Sequence, residues 1–459
     1  MDPIRIIVPT GSLGSGVSAD EVAYGLAQGA RAIATDAGST DSGAAYLATG
    51  TSKNDHSAVK RDLRILMLAA AKAGVPLLVG SSGQAGGDRN LDWTFAIAAE
   101  VAREEGLHPR VALLYSEQSR ETVKTLNAAG RIRPLEPAGA LRDETIDACE
   151  HIVAVMGLEP YLEALRHGAE LILGGRTTDT AVLAAYAMLH GAGKAAAWHA
   201  GKIAECGALC TATRDGGSGV LISVDEQGFE VEPLSPTSLC TPASVAAHML
   251  YENSDPFHLV EPGGILEVED ACYAQHGSRA VRVTGARWKD MPYTMKLEGA
   301  GARSYQTVML VGIQDPKVLA RVDEFHDKLL DALYRRTRAT LGEQAGEFHI
   351  SLRMYGWNAV SGDHPPAGTA PPRELGMLFV ATAATQRMAT RIAKACNPYF
   401  FHYPIDRDQE LPSYAFPFSP AEMERGPVYT FELNHVVEID DPLELVRIRY
   451  VDLPKEGAL

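Results

Sequence analysis

Four loops concentrate the residues able to do chemistry. They read Gly11-Ser12-Leu13-Gly14-Ser15-Gly16, Asp36-Ala37-Gly38-Ser39-Thr40-Asp41-Ser42-Gly43, Ser81-Ser82-Gly83-Gln84 with Gly86-Gly87-Asp88, and Gly174-Gly175-Arg176-Thr177-Thr178-Asp179. Glycine lets the main chain approach a ligand closely, and free amides and hydroxyls bind oxygen atoms. Arg176 follows two glycines and suits bidentate capture of a substrate carboxylate. The expected substrate-binding set is therefore Gly11, Ser12, Gly14, Ser39, Thr40, Ser82, Gly83, Gly175, Arg176 and Thr177. Asp36 and Asp88 are the expected proton carriers, and Asp36 with Asp41 offers hard oxygen ligands to Mg²⁺. Glu205-Cys206 sets a base beside a thiol and completes the catalytic candidates. Each Asp has an ordinary alternative as a helix cap, most plainly Asp179 between Thr178 and Thr180.

The chain carries no G-x-S-x-G elbow, no G-x-x-x-x-G-K-[ST] phosphate loop and no H-E-x-x-H zinc helix. Its first loop reads G-x-x-G-x-G, whereas the dinucleotide fingerprint is G-x-G-x-x-G. Asp36 stands where a ribose-binding acid belongs, but the later loops are filled with Gly, Ser and carboxylates. A compact polar ligand is expected over NAD. Of six cysteines only Cys206 and Cys210 lie close together, so neither a disulfide framework nor a four-ligand zinc site is expected. His349, His364 and His435 are expected to be structural.

The elements around these loops decide where they meet. Residues 4–9, 32–35, 76–80, 111–115, 151–157 and 170–175 are continuous apolar strands, and helical segments alternate with them. Ser18 with Glu21 reads as a capping box opening the first helix. The pattern predicts a doubly wound parallel sheet over residues 1–205, its loops converging beyond the carboxyl ends of the strands. Residues 206–459 read as an α+β domain with a mainly antiparallel sheet, which completes the site or mediates assembly. Its segments include a hairpin at 219–225 and 228–234, longer strands at 280–288, 293–299, 305–313, 349–357 and 428–439, and helices at 315–341 and 384–396. The tail 428–451 either fills the chain's own sheet, the expected outcome, or presents an edge to a partner strand.

The 459 residues leave ample chain for a core, with hydrophobic residues at 46%. Forty-two Lys+Arg against 58 Asp+Glu give a net charge of −16, which disfavours nucleic acid and anionic membrane surfaces. No apolar run is long enough for a membrane span, and no leader pattern opens the sequence, so a cytoplasmic protein with reduced cysteines is expected.

Taken together, the glycine loop through Ala44, the Gly80–Asp88 loop, the Gly174–Asp179 loop, Ile203-Ala204-Glu205-Cys206-Gly207-Ala208 and Asn434-His435-Val436-Val437-Glu438-Ile439-Asp440-Asp441-Pro442 resemble the acyclic terpene utilisation AtuA family, in its short form. The resemblance implies catabolism of branched, unsaturated carboxylic acids or their CoA thioesters, by hydratases or lyases that in some cases work beside a small partner protein. Longer relatives carry an Arg-Ser-Gly-Asp-Lys-like motif, for which Val360-Ser361-Gly362-Asp363-His364 stands here, so a small di- or tricarboxylate suits this chain as well. The resulting expectation is a homo-oligomeric hydro-lyase. The alternatives are a hydrolase or isomerase using Cys206 or Ser82, and a non-catalytic subunit.

Overall fold

Side chains on the parallel strands alternate between two hydrophobic clusters, one on each face of the sheet. Ile4, Ile6, Val8, Ala34, Leu78, Ala112, Leu114 and Ile172 pack with helices Glu159–Arg166, Ala181–Leu189 and Lys194–Ala204. Ile7, Ile33, Leu77, Val79, Val111, Leu113, Leu171 and Leu173 pack with helices Ala19–Ala27, His56–Ala73 and Asp88–Glu105. Strands buried on both faces must read as unbroken apolar runs, which is why they were legible in the sequence. The computed structural model describes residues 2–213, 217–363, 365–366, 368–406, 408 and 410–453, so His364 lies outside the described residues.

The fold is mixed α/β, with several sheets that are mostly antiparallel and one that contains parallel strands. In the largest sheet the parallel order is Ile4–Val8, Ala32–Asp36, Leu77–Gly80, Leu171–Gly174, Arg110–Tyr115. Antiparallel strands extend both edges. Val220–Val224 pairs with Ile4–Val8 and is followed outward by Gly228–Pro233, Ala280–Thr284 and Cys272–His276. Arg447–Asp452 pairs with Arg110–Tyr115 on the other side, so the end of the tail fills the chain's own sheet.

Two sequence expectations change here. The expected hairpin at 219–234 forms, but as an extension of the N-terminal sheet, so the expected boundary at residues 205/206 falls inside one compact unit. The strand His151–Ala154 leaves the parallel set and pairs antiparallel with Leu297–Ala300. An apolar run of this length records burial and says nothing about its neighbour's direction. The first unit comprises Met1–Gly301 with Phe431–Leu459, and the second Ala302–Thr430.

In the second unit Phe348–Tyr355, Leu375–Ala383 and the Tyr305–Ile313 part of strand Thr294–Ile313 form an antiparallel sheet. Leu375–Ala383 buries alternate residues, the mark of a sheet covered on one face. Helices Val322–Leu341 and Gln386–Cys396 close its core through Phe325, Leu329, Leu333, Ala389 and Ile392.

Candidate active site

The four loops meet at the carboxyl ends of the parallel strands in the first unit, around two adjoining cavities. One, of about 640 Å³, is lined by Gly11, Ser12, Asp36, Ser39, Asp41, Gln84, Glu205 and Cys206, among others. The other, of about 480 Å³, is lined by Arg176, Thr178, Lys202, Glu261 and Lys296. Asp41, Asp179, Glu205 and Glu252 line both. Close main-chain approach builds this convergence. A Cβ on Gly11 would sit 2.6 Å from the carbonyl carbon of Cys206, and one on Gly86, at φ +65, would sit 2.2 Å from the Arg176 nitrogen. Gly86 O accepts from Arg176 N at 2.9 Å, docking the third loop onto the fourth.

Arg176 is 7% exposed and organises the polar interior. Its Nε donates to Glu298 Oε2 at 3.0 Å, and its Nη1 donates to Thr177 O, Ser81 Oγ and Asp179 Oδ1. Nη2 is the one guanidinium nitrogen with no hydrogen bond among the described residues. Thr40 Oγ1 donates to the same Glu298 oxygen at 3.1 Å, and Lys296 Nζ lies 2.8 Å from Oε1. Burial alone would raise Glu298, but the charges of Arg176 and Lys296 outweigh it and bring its pKa to about 2.

The other carboxyls of the crevice move the opposite way. Burial raises Asp36 well above the carboxylate range, reinforced by the charge of Asp179. Its Oδ2 accepts from Gly38 N, while the buried Oδ1 has no partner among the described residues. Burial lifts Glu205 to about 8, against the pull of Lys202, whose Nζ bonds to Oε1. Glu261 is lifted to about 7 by burial, against the hydrogen bond from Thr180 Oγ1 at 2.6 Å. Burial also raises Asp179, with Arg176 opposing it.

Backbone strain gathers at the same place. Among the described residues the non-glycine positions with positive φ are Ser81, Gln84 and Glu252. Ser81 Oγ contacts Arg176, and the other two line the cavities. Strain of this kind costs roughly 1–3 kcal/mol per residue and concentrates at functional sites.

Not every expected residue reaches the crevice. The amides of Gly14 and Gly16 donate to Asp62 Oδ2 at 2.9 and 3.0 Å, so a ligand phosphate would have to displace a buried carboxylate. Asp88 lines neither cavity: its Oδ2 accepts from Arg447 at 2.9 Å, and burial with the neighbouring Glu117 charge raises its pKa. Thr177 is buried and bonds to Tyr161 OH and Gly175 O. Gly175 presses against Leu114 O, and Gly83 against Asn90. Ser82 is buried with no hydrogen bond to its Oγ among the described residues. The Cys206 thiol is raised by burial and by Glu205, opposite to what a thiolate nucleophile needs. Asp36 and Asp41 belong to no group of three convergent metal-ligand atoms among the described residues. His435 Nε2 donates to Gly139 O, 3.0 Å away, while its Nδ1 accepts from Asn434 N.

The sequence profile described as "Acyclic terpene utilisation family protein AtuA" matches residues 56–406, well over half the chain. The chain belongs to the AtuA family. No curated protein and no solved structure matches it. Within this AtuA-family protein the matched segment holds Arg176, Glu205, Glu261 and Glu298, whereas the first glycine loop and Asp36 precede it. Lys202, His248, Glu252, Glu261 and Glu298 were missed by sequence reasoning. Glu298 sits inside a strand, and Glu261 ends one that lies far along the chain from the loops it meets. The local signal for Lys202 was its i,i+3 spacing to Glu205 on a helix that is buried almost all round.

Proposed function

We propose that this AtuA-family protein is a hydro-lyase. It adds water across, or removes it from, the C=C bond beside the carboxylate or thioester of a small branched or unsaturated acid. The observation that carries the reading is one crevice where Arg176, Lys202 and Lys296 lie among carboxyls, Asp36, Glu205 and Glu261, whose pKa values burial raises.

Hydration needs three things: a cationic seat for the carboxylate or thioester oxygen, a base for water, and an acid at the α carbon. Arg176 Nη2 and Lys202 provide the seat, where charge develops on an enolate-like intermediate. Glu205 in its carboxylate form, made a stronger base by burial, takes a proton from the water whose oxygen bonds to the β carbon. Asp36 gives its proton to the α carbon as the C=C electron pair moves there. Exchange with solvent then returns the proton from Glu205 to Asp36, and the reverse sequence expels water.

The test is turnover by the purified chain of branched 2-enoic acids and their CoA thioesters, read by loss of the conjugated double-bond absorbance. In D₂O the product should carry deuterium at the α carbon. Asp36→Asn should lower kcat by roughly 10²–10⁴, the share of a general acid. Arg176→Lys should act mainly on KM. Full turnover in Asp36→Asn, or none by the wild type on the whole panel, would remove this reading. The neutral Cys206 thiol and the enclosed Ser82 hydroxyl favour it over a hydrolase or isomerase working through either residue.

A further inference from the structure

Where helix Lys194–Ala204 ends, Glu205 and Cys206 face His248, the last residue of helix Pro242–His248. One ligand atom from each of the three lies within 4.8 Å of the other two, and among the described residues this is the group that converges in this way. Glu205 Oε1 and His248 Nε2 are 3.9 Å apart. Two ligands on a tetrahedral zinc, at bond lengths of about 2.0–2.3 Å, are separated by roughly 3.3–3.7 Å, so the group is close to binding geometry already.

The second observation is an orphaned ring nitrogen. The His248 side chain is 2% exposed, and its Nε2 has no hydrogen-bond partner among the described residues. A buried polar atom left unpaired costs about 1–3 kcal/mol, which a ligand at that position relieves. The ring is held in plane by stacking on Tyr251, with centroids 5.6 Å apart. Lys202 Nζ now occupies Glu205 Oε1, and it has a second acceptor, Tyr251 O, at 3.3 Å to retain if a cation takes its place.

We propose that Glu205, Cys206 and His248 form a three-ligand site for a zinc-like divalent cation. Carboxylate, thiol sulfur and imidazole nitrogen together suit Zn²⁺ and its Co²⁺ surrogate, whereas Mg²⁺ takes oxygen ligands. Three protein ligands leave the fourth position open, the arrangement of catalytic zinc, and both Glu205 and Cys206 line the larger cavity. As the S–metal bond forms, the Cys206 thiol releases its proton to solvent, together with any proton on Glu205. The proposal rests on the hydro-lyase reading in one respect: Glu205 then handles water as a ligand of the ion that binds it.

The metal-stripped full chain, dialysed against Zn²⁺ or Mg²⁺, is analysed for bound metal and then loaded with Co²⁺. Expected are one Zn²⁺ per chain, no retained Mg²⁺, and a near-ultraviolet thiolate-to-Co²⁺ charge-transfer band. The band should vanish in Cys206→Ser. Zinc affinity should fall by more than about 100-fold in His248→Ala, beyond the loss typical of a change outside the ligand sphere. Far-ultraviolet circular dichroism of each metal-free variant checks the fold, and His248→Gln serves if His248→Ala does not fold. Absence of bound Zn²⁺, or equal retention by Cys206→Ser and the His248 variant, overturns the site. Turnover plays no part in this readout, so failure to bind metal and failure to hydrate an enoic acid are separate results.

Discussion

Arg176 and Glu298 place an ion pair where water is scarce, and the crevice depends on both. Removing one partner of a buried pair leaves an uncompensated charge and costs about 3–5 kcal/mol. Glu298→Gln should therefore lower the free energy of unfolding, measured by urea titration, by an amount in that range. Lys296 binds the same carboxylate with a side chain 43% exposed, and Lys296→Met should cost no more than about 1 kcal/mol. Glu261 makes a pH prediction with a definite sign. Its folded pKa of about 7 stands above the ordinary Glu value of 4.5, so the folded state holds the extra proton between those values. Stability from this group is intact below pH 4.5 and falls as pH rises to about 7, by on the order of 3 kcal/mol. Urea unfolding across that window should show Glu261→Gln losing this part of the decline. An unchanged slope would mean the carboxyl ionises freely.

Loop geometry and sheet edges govern the next scale. Gly86 and Gly106 have nearly the same φ, +65 and +63, yet a Cβ at Gly106 meets nothing within 4 Å. Gly106→Ala should cost only the backbone penalty of about 1–2 kcal/mol. Gly86→Ala must also push the Arg176 main chain away, and should cost well over that sum while disrupting the seat for substrate. Comparing the two in thermal unfolding separates conformation from contact. At the far edge of the main sheet, Arg447–Asp452 covers Arg110–Tyr115 through a six-residue antiparallel register. Truncation after Val446 exposes that strand's unpaired main chain, and the shortened chain should aggregate at concentrations where the full chain stays dispersed, as light scattering would show.

For the molecule as a whole, a net charge of −16 surrounds a crevice in which burial raises the pKa of Asp36, Asp179, Glu205 and Glu261 and whose cations are Arg176, Lys202 and Lys296. No helix among the described residues is long and apolar enough to cross a membrane. A small carboxylate bound at 100-fold its Kd should stabilise the fold by about 2.7 kcal/mol. A thermal-shift screen of di- and tricarboxylates, enoic acids and acyl-CoA thioesters should find such a ligand, and the shift should disappear in Arg176→Ala. A shift that survives that substitution would move the anion site elsewhere.

The sequence by itself determined the parallel strands, the four loops beyond them and the family, because double-sided burial writes continuous apolar runs and close loop approach demands glycine. It also put Asp36, Arg176 and Glu205 among the residues that line the crevice. Tertiary structure alone decided which of the remaining polar residues join them. Asp88 turned to Arg447 and Gly14 to Asp62, contacts that link positions far apart along the chain and leave no local pattern. Glu298, Glu261 and His248 entered from a strand interior, a strand end and a short helix, where a lone polar residue carries no signal of what it faces. Protonation followed the same rule: desolvation and neighbouring charge set whether a carboxyl is an acid or an anion, and both exist only after the chain has folded.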